Sequence, residues 1–351
     1  MNATDDEKEV TIYDIAAALN ISAATVSRGL KNHPAIKKAT KDKIFAQAER
    51  MGYRFNTFAR NLRAKRTYTI GVIVPRLNSM FMSSVLAGME KVSNEAGYEL
   101  IISQSLETME KEKKNATTMF NSRVDGLLVS LAYTTTEIDH FKRFIDKNIP
   151  LIFFDRVFEH PHCPTIVINN RTAAYEMTEH LIQQGCRRIV HIAGNLNRNV
   201  YAMRLKGYQD ALADHGIPFK EEWLIINDLG AEDGVLAAKH VLTYAEKPDA
   251  IFSANDTCAV ACMQELRRNG VRVPGDMLVA GFNNDPIATV VEPNLTTIAY
   301  KGHEMGEVAA KTLINLLNGA NEQQAAATIV LRHQLIVRDS TQQKTTEHES
   351  T

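Results

Sequence analysis

From Thr67 onward the chain contains nine runs of four to seven mostly apolar residues, and amphipathic stretches with helical spacing fill most of the gaps between them. The runs are Thr69–Pro75, Glu99–Ser103, Gly126–Ser130, Leu151–Asp155, Thr165–Asn169, Arg188–Ala193, Leu224–Asn227, Ala250–Ala254 and Leu278–Phe282. Near-continuous apolar strands between amphipathic helices imply parallel sheets covered on both faces. Two blocks, about 68–168 and 169–298, each fit a doubly wound subdomain. Segments 299–325 and 326–340 are expected to cross back and complete the first and the second, respectively. Open α/β sheets bind ligands outside the carboxyl ends of their strands, so two facing subdomains would enclose a cleft lined by those ends.

The region before this core has a different character. Residues 10–66 carry 12 Lys or Arg against three acids, whereas the whole chain has a net charge of −1. A basic module on an acidic body is the electrostatic footprint of a nucleic-acid binder. Within it, Thr11-Ile12-Tyr13-Asp14 has the hydroxyl and the acid three residues apart that a capping box needs. Ile12, Ile15, Ala16 and Leu19 follow at helical spacing. Asn20-Ile21 makes a tight break, and Ser22 is placed to cap a second helix. Two short helices joined by about three residues read as a helix-turn-helix, whose second helix enters the major groove. Val26 and Leu30 should pack inward, leaving Thr25, Ser27 and Arg28 for phosphates and base edges. Arg28 alone in this helix could make a bidentate contact to guanine. A third helix, roughly Lys38 to Met51, should bury Ile44, Phe45 and Ala48.

The series Val-Thr-Ile-Tyr-Asp-Ile-Ala…Ser-x-x-Thr-Val-Ser-Arg, continued by Gly52-Tyr53 and Asn56, closely resembles the head of the LacI/GalR repressors. With the core included, the resemblance covers about residues 10–340. It implies an all-α helix-turn-helix head (10–55), a hinge (56–67) and an α/β periplasmic-binding-protein-like core (68–340), with a polar tail at 341–351. It also implies a homodimer that binds double-stranded operator DNA under the control of a small effector. The implied DNA-contacting set is Thr11, Tyr13, Ser22, Ala23, Ala24, Thr25, Ser27, Arg28, Asn56, Ala59 and Leu62. Ala23 and Ala24 occupy the two positions that most often discriminate operators in this family. Alanine can touch a thymine methyl but cannot hydrogen-bond a base edge. Leu62, in the short basic hinge, is by resemblance the side chain that wedges between base steps in the minor groove. The chain departs from the family pattern at Lys37, where serine usually caps the third helix, and at Phe55, where proline usually precedes the hinge asparagine.

Candidate effector residues stand where strands end. Asp155-Arg156, Asn255-Asp256 and Asn283-Asn284-Asp285 each follow an apolar run. Phe81, after the first strand, could stack on a ring. Arg204 lies in an Arg-x-x-Gly-Tyr segment resembling the family's ligand-holding arginine. Leu229 falls where some relatives carry a pocket aromatic, and Asn283 where they commonly carry aspartate. Carboxylate, amide and guanidinium groups beside an aromatic suit vicinal hydroxyls, because each bidentate group can pair two of them. A carbohydrate is therefore the expected effector, with a purine or nucleoside as the alternative. The alternative reading of a strand-end Asp or Asn is a cap on the following helix and nothing more.

Other classes fit less well. No phosphate loop, dinucleotide fingerprint, nucleophile elbow or His-Glu-x-x-His motif occurs, so neither an enzyme nor a bound cofactor is expected. His160, His162 and Cys163, or Cys258 and Cys262, lack a second ligand pair at a metal-binding spacing. An acidic N-terminus without an apolar stretch after it argues against a secreted solute-binding protein. Scattered cysteines and the absence of a membrane-length apolar run point to the cytoplasm.

Overall fold

The computed structural model describes residues 10–53, 66–319 and 327–342. The chain divides after Thr67 into two compact units.

The first unit contains three helices, α1 (Ile12–Leu19), α2 (Ala23–Leu30) and α3 (Lys38–Arg50). They close on a small core of Ile15, Ala16, Val26, Leu30, Ile44 and Ala48. Asn20 ends α1 in the left-handed conformation, with φ of 53°, which asparagine tolerates better than most residues. Gly29 lets α2 approach α3, since a Cβ there would lie 2.4 Å from Ile44 Cδ1. One expectation fails: Phe45 is 45% exposed. It follows Ile44 by about 100° around the helix, and a core this small accepts only one face of α3.

The second unit holds a six-stranded sheet built from β1 (Thr69–Val74), β2 (Glu99–Gln104), β3 (Gly126–Val129), β4 (Leu151–Phe154), β5 (Thr165–Ile168) and β11 (Thr328–Leu331). Their order is β11-β5-β4-β3-β1-β2, and all pairs are parallel. Alternate residues feed two different cores. Ile70, Val72, Leu128, Ile152 and Phe154 join one cluster, while Ile73, Leu127, Val129, Leu151 and Phe153 join another. This is the period of two expected of strands buried on both faces. A four-stranded parallel sheet, β7-β6-β8-β9, is made of β6 (Ile189–Ala193), β7 (Leu224–Ile226), β8 (Ala250–Ser253) and β9 (Leu278–Ala280). All nine expected strands are thus present, each within about two residues of its expected ends.

The return segments need a correction. Thr328–Leu331, assigned by sequence to the second subdomain, pairs with β5 as the edge of the first sheet. Only after Leu331 does the chain return, pairing β12 (Gln334–Ile336) antiparallel with β10 (Thr297–Ala299). Nor does the polar tail begin at 341. Thr341 is fully buried, and its hydroxyl lies 2.7 Å from that of Thr296 and 2.8 Å from His180 Nε2. Its composition reads as tail, but buried hydroxyls are accepted where each has a partner.

Candidate functional site

In the head, Thr11 and Asp14 form the expected box: the Thr11 amide and hydroxyl donate to Asp14 Oδ2 at 2.7 and 2.6 Å. The Ser22 hydroxyl accepts from the Thr25 amide at 3.1 Å and lies 2.8 Å from the Thr25 hydroxyl. Both side chains thereby organise the start of the helix that would carry readout. Tyr13 is 71% exposed. Ala24 and Arg28 are also exposed, while Ser27 and Ala23 are half-buried, Ala23 against the head core. Asn56, Ala59 and Leu62 lie outside the described residues.

In the core, the ends of strands from both sheets surround a cavity of about 350 Å³. Phe81, Asp155, Arg204, Leu229, Asn255 and Asn283 all line it. Arg204 is the most constrained. It projects from α8 (Asn199–Asp214), the residues between β1 and β6 having supplied α4 (Met80–Glu95), α5 (Met109–Asn121), α6 (Lys142–Asp146) and α7 (Asn170–Gln183). Its Nε donates to Asn170 Oδ1 at 2.9 Å and its Nη1 to the Ala254 carbonyl at 2.7 Å. The guanidinium carbon sits 3.5 Å from the centre of the Phe282 ring, a cation–π contact. Gly207, one turn on, explains how α8 comes close enough: a Cβ there would lie 2.0 Å from the Arg171 carbonyl oxygen on α7. The glycine that accompanies the arginine in sequence therefore sets its depth.

Three cavity residues have left-handed backbone: Asp155 (φ 57°), Leu229 (φ 59°) and Asn283 (φ 116°). For a leucine this is uncommon and strained. Asp155 sits beside Arg156, and its carboxylate makes no hydrogen bond or ion pair with a described residue. Burial raises its pKa, with Arg156 and Arg204 pulling the other way. Asn283 Oδ1 accepts from the Tyr300 hydroxyl at 3.3 Å, and its Nδ2 is 3.4 Å from Asp285 Oδ2. Asn255 also caps a helix, accepting from the Cys258 amide at 2.8 Å, while its Nδ2 donates to the Leu229 carbonyl at 2.9 Å.

Asp256 is the exception among the expected sensors. It lies wholly buried behind the cavity, accepting from Thr297 Oγ1 and the Asp285 amide, each at 2.7 Å. Burial pushes its pKa up to about 7. It is a structural acid that fixes the Asn283–Asp285 turn, because the helix start after β8 aims it into the protein.

The cavity also contains residues that sequence reasoning missed. Glu107, Tyr133, Tyr201 and Tyr300 line it. Tyr201 stands one turn before Arg204 on the same helix, a spacing that could have flagged it. Tyr133 and Glu107 lie in loops a few residues past β3 and β2, so a broader strand-end criterion would have included them. Among the described residues no group of three or more His, Cys, Asp or Glu is placed to hold a metal ion, and no helix is long and apolar enough to cross a membrane.

This chain is 31% identical to catabolite control protein A of Priestia megaterium over 333 residues, 95% of this chain and 99% of that protein. It is 30% identical to the ribose operon repressor of Haemophilus influenzae, over 94% and 98% of the two chains. Residues 11–56 match the family described as bacterial regulatory proteins, lacI family, and residues 178–341 match a periplasmic binding protein-like domain. The chain belongs to the lacI family of bacterial regulatory proteins. Among solved structures, the Lac repressor dimer bound to operator and the anti-inducer ONPF matches with a TM-score of 0.81 and 25% identity, covering 95% of this chain and 99% of that one. A CelR–cellobiose complex matches at a TM-score of 0.71 and 25% identity, over 95% and 100%. As a lacI-family member, the protein is a DNA-binding transcription regulator with an effector-binding core, and the named relatives are regulators rather than enzymes.

Proposed function

We propose that this lacI-family regulator is a homodimeric repressor whose operator affinity is set by an uncharged, polyhydroxylated sugar in the core cleft. The Asp155 carboxylate carries this assignment. It is held in the cavity on a left-handed backbone, beside two arginines, with its acceptor sites free of described partners. A half-buried acceptor in that state calls for a hydroxyl or amine donor.

Charge balance narrows the class. Glu107, Asp155, Asp228 and Asp285 line the cavity along with Arg76, Arg156 and Arg204. Glu107 is paired with Arg156 at 2.8 Å and approached by Arg76 at 3.5 Å. Arg204 is tied to Asn170 and Ala254. Three carboxylates remain with spare acceptors, which suits hydroxyl donors and opposes sugar phosphates and uronates. Phe81 and Tyr300, 4.7 Å apart, offer an apolar surface for a ring face.

A purine or nucleoside is the second reading. It is favoured by the four aromatics at the cavity, Phe81, Tyr133, Tyr201 and Tyr300, and a further relative at 27% identity is the HTH-type transcriptional repressor PurR of Vibrio parahaemolyticus. Leu229 at a wall that could otherwise supply a stacking ring weighs against it.

On the DNA side, two heads would occupy adjacent major grooves of a pseudo-palindromic site. Thr11, Tyr13, Ser22, Thr25 and Ser27 would bind mainly phosphates, Arg28 a base edge, and Ala23 and Ala24 methyl groups. Asn56, Ala59 and Leu62 would act at the central minor groove.

A thermal-shift screen tests the effector class, because a ligand at about 100 times its Kd stabilises the native state by about 2.7 kcal/mol. Neutral mono- or disaccharides should raise the melting temperature, and sugar phosphates should not. A response confined to bases and nucleosides would transfer the protein to the purine reading.

A further inference from the structure

The start of α8 reaches out of its own subdomain. Arg198 precedes the helix and is buried, and its Nη2 donates to the Thr135 carbonyl in the first subdomain. Asn199 bridges two backbone groups there: its Oδ1 accepts from the Val157 amide and its Nδ2 donates to the Asp155 carbonyl, both at 3.0 Å. The Tyr201 hydroxyl lies 3.2 Å from that of Tyr133 and accepts from Arg156 Nη2 at 3.1 Å. Arg156 in turn sits 4.3 Å over the Tyr133 ring. Four residues of sequence thus supply three separate attachments to the opposing subdomain.

The receiving side is built to stay still. The loop at 131–135 hangs on two carboxylates from the β2–α5 region. Glu107 accepts from the Tyr133 amide at 3.2 Å. Glu112, wholly buried, accepts from the Ala132 amide and the Thr135 hydroxyl at 2.8 Å and from His140 Nε2 at 2.9 Å. A buried carboxylate with three donors is a strong local constraint, since moving any one leaves charge unsatisfied. The Thr135 carbonyl and the Tyr133 phenol are therefore presented from a rigid mount.

We propose that Arg198, Asn199 and Tyr201 form a polar clasp with the carboxylate-anchored loop 131–135 and the Asp155–Val157 strand end, and that this clasp sets the resting angle between the two core subdomains. Tyr133, Arg156 and Tyr201 also line the cavity, so an occupant that touches them acts directly on the clasp. The proposal stands whether that occupant is a sugar or a base.

Pulsed electron spin resonance on the full chain tests it without any ligand. The native cysteines at 163, 186, 258 and 262 are buried, so spin labels on Lys114→Cys and Ala213→Cys report selectively across the subdomains. Labelled protein is diluted with unlabelled protein so that only pairs within one chain are read. Combining Arg198→Ala with Tyr201→Phe should add a second distance population and shift the ratio of the two states by about tenfold or more. Arg198→Lys, which can still donate to the Thr135 carbonyl, should restore most of the original distribution. Asn199→Ala should accelerate hydrogen exchange at the Val157 amide while amides within the strands of both sheets keep their rates. An unchanged distance distribution in a normally folded double variant would overturn the clasp. If the double variant fails to fold, Tyr201→Phe alone and the Val157 exchange rate decide: no change in either refutes the proposal.

Discussion

The head and the cleft place functional side chains by opposite strategies. In the head, contiguous residues alternate between inside and outside on one short helix, with Val26 and Leu30 buried and Arg28 exposed. In the cleft, residues from 75 to 300 meet around one cavity, and the site exists only once two sheets have formed. A site written on one helix follows from spacing alone. A site assembled from strand ends also depends on backbone angles that spacing does not encode.

If the two strategies are independent, damage should stay local. The largest effect is expected from Gly207→Val, whose added atoms would meet the Arg171 carbonyl oxygen. The core should lose about 3 kcal/mol or more, read by denaturant unfolding, while hydrogen exchange in α1 to α3 stays unchanged. Faster exchange in the head would break the comparison. Next, Arg204→Ala should abolish the ligand-induced change in operator binding and leave ligand-free binding intact. Loss of both would mean that the cleft arginine holds up more than the cleft.

Operator selection in turn should be an affair of the head. Arg28→Ala is expected to lose about 1–3 kcal/mol of discrimination at one base position, with an unchanged thermal shift by effector. A uniform loss across all sequences would reassign Arg28 to phosphate. A pH titration sharpens the contrast from the core side. Burial raises the Asp256 pKa to about 7, above its ordinary value of 3.8. The folded state then binds the proton more tightly than the unfolded one, so core stability falls as pH rises from about 4 to 7. Asp256→Asn should flatten that slope, and a slope that persists would point to another buried acid. The smallest effect belongs to Ser22→Ala, which removes the cap of α2 and should destabilise the head by about 1 kcal/mol, visible in the exchange rates of α2.

Much of this was legible beforehand for a physical reason. The three head helices follow from capping residues and apolar spacing, and the nine strands from runs long enough to cross a sheet buried on both faces. At the cleft, legibility stopped one step short. Asn255 and Asp256 are adjacent at the same strand end, yet one lines the cavity and the other is buried behind it. The left-handed angles at Asp155, Leu229 and Asn283 are imposed by the surrounding fold rather than by any glycine at those positions. Phe45 stays exposed because a core of six buried side chains cannot accept every apolar residue that a helix offers. Thr328–Leu331 joins the first sheet, and a four-residue edge strand carries no mark in its sequence of which sheet it will join.

That edge strand has a consequence during synthesis. The first sheet receives β1 to β5 early, but its last strand is encoded after the whole of the second sheet. At roughly 5–20 residues per second, the interval between β5 and β11 leaving the ribosome is about ten to thirty seconds. Through that interval the backbone edge of β5 stands open to any strand that drifts by, including one from a neighbouring nascent chain.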